Sequence, residues 1–241
     1  METILSKIPF HKYRTLKYLL WIGSLIAYLI LNDMSGWDVD IQHLFFQNHH
    51  WLIDADSQDF LRLMAYTAPK TLLLIGGILL LCYAIFAGIF PQKSFFTQNM
   101  LYILLNISFI PLIVASLKAI TNVYCPYQLD IFNGFYQHTW LWQNNLDIAR
   151  GRCFPAGHAS GACSLVCLWF MNIKHSARRL IYSSVVIFII LTAGYQMMNG
   201  RHFLSHTITT LWIALSWAWF CKQYLSPFIY QKFYEKSASR L

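Results

Sequence analysis

The sequence predicts an all-α, polytopic membrane protein: six transmembrane helices in one domain spanning residues 1–241, both termini cytoplasmic. Three observations predict it. First, 57% of the residues are hydrophobic and only 12% are charged, against about 25% charged in an average soluble domain. Second, the apolar residues fall into runs that approach the roughly 20 residues needed to cross a bilayer. Third, the net charge of +8 comes from lysines and arginines grouped beside those runs, as in cytoplasmic loops facing anionic lipid. That distribution, with no basic groove or nucleic-acid motif, argues against a nucleic-acid partner and for membrane lipids. Aromatic residues at 17% suit interfacial belts.

The predicted spans run from about Leu16 to Leu31, Thr71 to Phe90, Met100 to Thr121, Ala159 to Ile173, Leu180 to Tyr195 and Phe203 to Tyr224. The first run is long and lacks a small-residue cleavage site, so it reads as an anchor rather than a cleaved signal. Orientation follows the basic residues. Lys7, Lys12, Arg14 and Lys17 flank the first run; Lys93, then Lys174, Arg178 and Arg179, then Lys222, Lys232, Lys236 and Arg240 fall on the same side. The segment from Asp33 to Lys70 falls outside and carries Asp33, Asp38, Asp40, Asp54, Asp56 and Asp59 against Arg62 and Lys70. Within it, "WDVDIQHLFF" and "DSQDFLRLMAYTAP" are read as short amphipathic helices on the outer surface. No internal repeat or low-complexity segment is present.

Cys82, Cys163, Cys167 and Cys221 lie in apolar runs and read as small buried hydrophobes. Cys125 and Cys153 share the outer loop after the third run. In an oxidising compartment they pair and close a loop of 27 intervening residues; the alternative is two free thiols.

Three outer-face clusters interrupt the apolar pattern. "SLKAITNVYCP" places Lys118 at the outward end of the third run. "GRCFPAGHAS" places Arg152, a helix-initiating Pro155 and His158 before the fourth. "GYQMMNGRHFLSH" places Gln196, Asn199, Arg201, His202 and His206 between the fifth and sixth. Ionisable groups at spanning segments are costly and are functional candidates by default. Each also has a bland reading: Lys118 snorkels, Arg152 meets headgroups, and Asp130 and Asp147 solvate a loop. His202 and His206 at i, i+4 suit zinc, but no Glu or Cys nearby in sequence completes the set, so no metal or other cofactor is expected. Together the clusters point to phosphoryl transfer. Lys118, Arg152 and Arg201 offer positive charge. The "PAGH" turn offers backbone N–H groups, at Ala156 and Gly157, beside a helix N-terminus. Two histidines offer a nucleophile and an acid, with His206 one turn on as the partner that holds His202.

These residues, in this order, resemble the type-2 phosphatidic acid phosphatase (PAP2) superfamily, with motifs over residues 118 to 206. Lys118 and Pro126 match its first motif, Pro155, Gly157 and His158 its second, and "HFLSH" its His-x-x-x-Asp, which makes His202 the nucleophile and His158 the acid. Cys125 stands in place of the first motif's arginine, Ala156 in place of the second's serine, Gln196 in place of the third's arginine and His206 in place of its aspartate. The chain looks like a divergent bacterial branch. There an arginine lies three residues before the nucleophile, where this chain has Asn199, with Arg201 as its nearest cation. The resemblance implies a PAP2-like bundle in the bacterial inner membrane with its site facing the periplasm. It also implies metal-independent hydrolysis of a lipid phosphate or diphosphate through phosphohistidine. A lipid-to-lipid phosphotransferase and a non-catalytic lipid-phosphate binder are the alternatives.

Overall fold

Proline and glycine punctuate helices that are otherwise made by continuous apolar runs. In the computed structural model, residues 10–53, 59–90, 97–139, 141, 143 and 150–235 are described. Lys7, Lys93, Lys236, Arg240, Asp54, Asp56 and Asp147 fall outside them. The chain is mainly helical. α1 spans Phe10–Ser35, and Gly36, at φ 72°, turns the chain into α2 (Trp37–His43). A two-residue hairpin follows, β1 (Phe46–Gln47) against β2 (His50–Trp51), antiparallel with Phe46 opposite Trp51. α3 (Asp59–Arg62) runs through a wide π turn, Leu63–Thr67, into α4 (Ala68–Ile89). "DSQDFLRLMAYTAP" is therefore in part the first turns of a spanning helix, not a separate surface helix.

α5 (Gln98–Ile120) starts at Thr97, whose side chain accepts from the Met100 N–H, and contains Pro111. α6 (Ser160–Ser164) tightens into a 3₁₀ segment, Leu165–Phe170. α7 (His175–Met198) and α8 (Leu204–Phe220) complete the set. α8 continues through a π turn, Cys221–Leu225, into α9 (Ser226–Tyr230) and a further π turn to Glu235. Two π turns end two residues before a proline, Pro69 and Pro227. Proline lacks an N–H and crowds the carbonyl of residue i−4, so a widened turn ahead of it relieves the clash.

Among the described residues, four helices are long and apolar enough to cross a membrane: α1 from Leu16, α4, α5 and α7. The expected fourth span is shorter than predicted. Only Ser160–Phe170 is helical there, too short for a hydrocarbon core of about 30 Å, because Ser160, Gly161 and Ser164 weaken its first turns. Pro155 does not initiate it: the Phe154–Pro155 peptide is cis, and the helix begins five residues later. Buried Ala159, Ala162, Cys163 and Cys167 let this short element pack closely against α5 and α8, as small residues do between membrane helices.

The core lies where α4, α5, α6 and α8 meet, around Tyr102, Ile110, Val166, Ala214 and Ala218. The Tyr102 hydroxyl reaches the carbonyls of Cys167 and Ala218 at 3.1 and 3.2 Å. Only 6% of the apolar window of α1 and 11% of that of α4 is buried, against 39% for α5 and for α7. Their uncovered leucines and isoleucines face outward, as lipid-facing side chains do. Cys82 on α4 is exposed with them, not buried as its apolar setting predicted, whereas Cys163, Cys167 and Cys221 are buried.

At one end, α2 and the hairpin cap the bundle. Phe46, Trp51 and Phe132 form an aromatic cluster. Gln42 donates to the Met197 carbonyl at 2.7 Å. The cap is thereby tied to the end of α7.

Candidate active site

The three sequence clusters meet at that capped end. Lys118 is in the last turn of α5. The chain leaves α5 at Thr121 in extended conformation and runs beside residues 150–154. The Cys153 N–H donates to the Val123 carbonyl at 2.9 Å, the Gly151 N–H to the Asn122 side chain at 2.8 Å, and the Thr121 hydroxyl to the Phe154 carbonyl. Gly151 has to be glycine, since a Cβ there would lie 2.5 Å from the Val123 carbonyl. Cys125 and Cys153 are joined by a disulfide, with Cα atoms 5.1 Å apart.

The third cluster is placed by the end of α7. Gly200 takes φ 69°, its N–H donates to the Met197 carbonyl, and the Arg201 N–H reaches back to the Gln196 carbonyl at 2.8 Å. This is a Schellman cap. It needs glycine twice over, because a Cβ at 200 would also lie 2.5 Å from the Trp51 ring. The Tyr127 N–H donates to the Gly200 carbonyl at 3.0 Å, and the Arg201 guanidinium lies over the Tyr127 ring at 4.8 Å. The cap thus delivers Arg201 and His202 in succession to the space beside Lys118.

That space is a cavity of about 270 Å³. Lys118, Arg150, Arg152 and Arg201 supply four cationic side chains to its wall, with His158 and His202 beside them and Cys125, Tyr127 and Gln128 completing it. Among the described residues, no carboxylate lines it. Arg150 was not singled out from the sequence. Its signal was the alternation in "RGR": residues two apart in extended chain point the same way. Tyr127 and Gln128 gave no signal in sequence.

The rings of His158 and His202 are 5.2 Å apart, and those of His202 and His206 5.7 Å. Buried His206 is held edge-on between Phe154 and Phe203, at 5.3 and 5.4 Å. Nδ1 of His202 faces the Cys153 sulfur at 3.4 Å. Its Nε2 is buried and has no hydrogen-bond partner among the described residues. Burial, then the neighbouring His206, His158 and Lys118, holds the His202 imidazole well below its usual 6.5. Burial, then Lys118, Arg201 and Lys70, brings His158 down to about 4. Both rings are therefore neutral at pH 7, each able to offer a nitrogen lone pair.

Two expectations are corrected. Ala156 does not line the cavity. Its N–H donates to the His206 carbonyl at 3.2 Å and its own carbonyl accepts from Thr210, so that amide is spent on packing and not available to a phosphate. Gly157 instead lies against Lys118: a Cβ there would be 3.6 Å from the ammonium nitrogen. A third ligand type does stand near the two histidines, although the sequence suggested none. Cys153 Sγ, His202 and His206 offer ligand atoms within 4.8 Å of one another. Half of a disulfide is not a thiolate, however, and thiolate is the form that binds zinc, so the set as bonded does not fit a metal.

On its other flank, Lys118 and His158 also line an apolar cavity of about 590 Å³. Leu73, Leu74 and Ile78 of α4, Ile107 and Pro111 of α5, and Phe188 of α7 form its walls. A charged chamber and an apolar one thus share two side chains.

No curated protein and no solved structure matches the chain. A family model described as the PAP2 superfamily matches residues 97–230, more than half of the chain and the part that holds Lys118, His158 and His202. With its apolar helices it is a membrane protein, and with a cationic, histidine-lined chamber of the kind phosphoesters need, it belongs to the PAP2 superfamily, whose members are generally phosphatases or phosphotransferases.

Proposed function

We propose that the protein is a metal-independent lipid phosphatase acting through a phosphohistidine. It would span the bacterial inner membrane six times, with both termini cytoplasmic and the site at the periplasmic face. One observation carries this reading: the cationic chamber and the apolar chamber meet at Lys118 and His158, as a phosphate headgroup and its hydrocarbon tail would require.

Phosphoryl transfer depends on positioning and on stabilising charge. In the proposed course, a phosphate enters among Lys118, Arg150, Arg152 and Arg201. Its negative charge offsets theirs, so His158 accepts the proton of the phosphate monoanion. His202 Nε2 attacks phosphorus in line, the P–O bond to the lipid breaks, and His158 protonates the departing oxygen. A water then gives its proton to His158 and attacks the phosphohistidine, releasing phosphate and restoring His202.

The motif changes at Cys125 and Gln196 remove two family arginines. Arg150, Arg152 and Arg201 line the chamber instead, which favours an enzyme over a binder that has lost its chemistry. The test is phosphate release from lipid phosphates by the purified protein, in detergent with EDTA. EDTA-resistant release that His202→Ala eliminates is the expected result. A phosphotransferase would show the same dependence on His202 but need an acceptor lipid. Binding without release under either condition would leave only the binder.

A further inference from the structure

Where the PAP2 third motif has an aspartate, this chain has His206, and an imidazole holds a neighbouring positive charge less well than a carboxylate does. The structure brings a carboxylate to the adjoining residue, Ser205, from another part of the chain. Asp38 belongs to α2, outside the residues that the family model matches. It is buried against the first turn of α8: one carboxylate oxygen accepts from the Ser205 N–H at 3.0 Å, and the other accepts from the Ser205 hydroxyl and from Asn32 Nδ2, the latter at 2.9 Å. Ser205 lies between His202 and His206 in sequence. Three donors converge on this carboxylate, which suits an anion.

Asp38 and His206 also line one small, partly apolar cavity, with Asp33 and His138. Among the described residues, the chamber lined by His202 contains Lys118 and three arginines and no acid. The histidine pair therefore stands between a chamber with four cations and a cavity with two acids. The charged or titratable groups around His206 are Asp38, Asp33 and His138 on one side and Lys118, His202 and Cys153 on the other, with Cys153 held in its disulfide. Ring nitrogens of His202 and His206 lie within 4.8 Å, close enough for charge on one ring to act on the other in a site shut off from water.

We propose that Asp38 is a positioning residue that supplies, through His206 and Ser205, the negative charge lost with the motif aspartate. As Nε2 of His202 bonds to phosphorus and the P–O bond breaks, the ring becomes positive. The His206 ring lies 5.7 Å from the His202 ring, and Asp38 holds the His202–His206 pair in register through Ser205 and offsets its charge. This rests on the phosphohistidine reading above.

The experiment is a double-mutant cycle in the full-length detergent-purified protein: wild type, Asp38→Asn, His206→Asp and the double variant, assayed on one lipid phosphate. Asp38→Asn is expected to lower kcat by about 10²-fold, as loss of one preorganised charge partner does, with KM within about threefold. In the His206→Asp background, which returns a carboxylate to the motif position, the same change should cost less than about threefold. Equal losses in both backgrounds, or a loss that appears only as a lower Tm and a higher KM, would overturn the proposal. A wild type inactive on every lipid sinks the phosphatase reading instead. The ring ¹³C chemical shifts of His206 then decide this one: Asp38→Asn should change them, and unchanged shifts overturn the assignment.

Discussion

At the residue scale, positive charge and burial set what the histidines can do. His202 is fully enclosed and faces its sister imidazoles and Lys118, so its proton leaves well below pH 6.5. If His202 is the nucleophile proposed above, it stays neutral as acid is added, and the acid limb of kcat/KM is expected well below 6.5; a limb at 6.5 or higher in a pH–rate profile would contradict this. The same shifts have a sign for stability. His158 takes its proton near 6.5 when unfolded but only near 4 when folded, so between those values the unfolded chain binds more protons. Stability is fullest above 6.5 and declines as pH falls toward 4. Thermal unfolding across that window should show the decline, and His158→Asn should flatten part of it. Among the cations, Arg201 reaches the chamber from the α7 cap and lies over Tyr127. Arg201→Ala is expected to lower kcat by about 10²–10³-fold, the usual cost of one charge-stabilising donor, whereas Arg201→Lys loses the planar contact with the Tyr127 ring and restores only part.

At the scale of elements, the site is built from chain that leaves helices, and this decides what was legible. The four long helices are legible because a 20-residue apolar run has few other uses. Lys118, His158, Arg201 and His202 were legible because polar groups at the ends of such runs need a reason. The short α6 was not. A run from Ala159 to Ile173 has the hydrophobicity of a span, and only packing against α5 and α8 reveals that an 11-residue helix suffices to fill the core there. Ala156 was misread for a related reason: a free-looking turn amide is committed to the His206 carbonyl, a partner fifty residues away. Asp38 was counted as one acid among several in an outer segment, since nothing local marks which of them turns inward. Cys125 and Cys153 clamp the strand after α5 to the strand before α6, and Arg150 and Arg152 ride on that clamp. Replacing both cysteines by serine should cost about 2–4 kcal/mol of stability, as loss of a disulfide closing a loop of this size does. On the proposed reading it should also raise KM, because Arg150 and Arg152 ride on the clamp, and lower kcat, because His202 Nδ1 faces the Cys153 sulfur at 3.4 Å. Thermal unfolding and steady-state kinetics on the same preparation check both halves.

At the scale of the whole molecule, the sparse packing of α4 links fold to substrate. This helix buries little of its apolar surface, yet its Leu73, Leu74 and Gly77 wall the apolar cavity that ends at His158. Most of its uncovered surface faces outward, as lipid-facing side chains do, and the face that borders the cavity lies opposite Ile107, whose Cδ1 would lie 3.4 Å from a Cβ at position 77. As proposed for a lipid substrate, the tail would enter this slot from the lipid side and carry the phosphate up to Lys118. On the proposed lipid reading, each methylene placed in the slot is worth up to about 0.8 kcal/mol, so shortening the tail by several carbons should lower kcat/KM by about 10²-fold or more. Gly77→Phe would fill the slot near its middle. It should lower kcat/KM for a long-chain lipid phosphate by about tenfold or more, since an overfilled cavity must distort or exclude its occupant. A short, water-soluble phosphate ester, which needs only the charged chamber, should be turned over by the same variant within about twofold of wild type. Equal losses on both substrates would place the defect in the bundle and not in the slot. Unchanged turnover of both would mean that the tail lies outside this cavity.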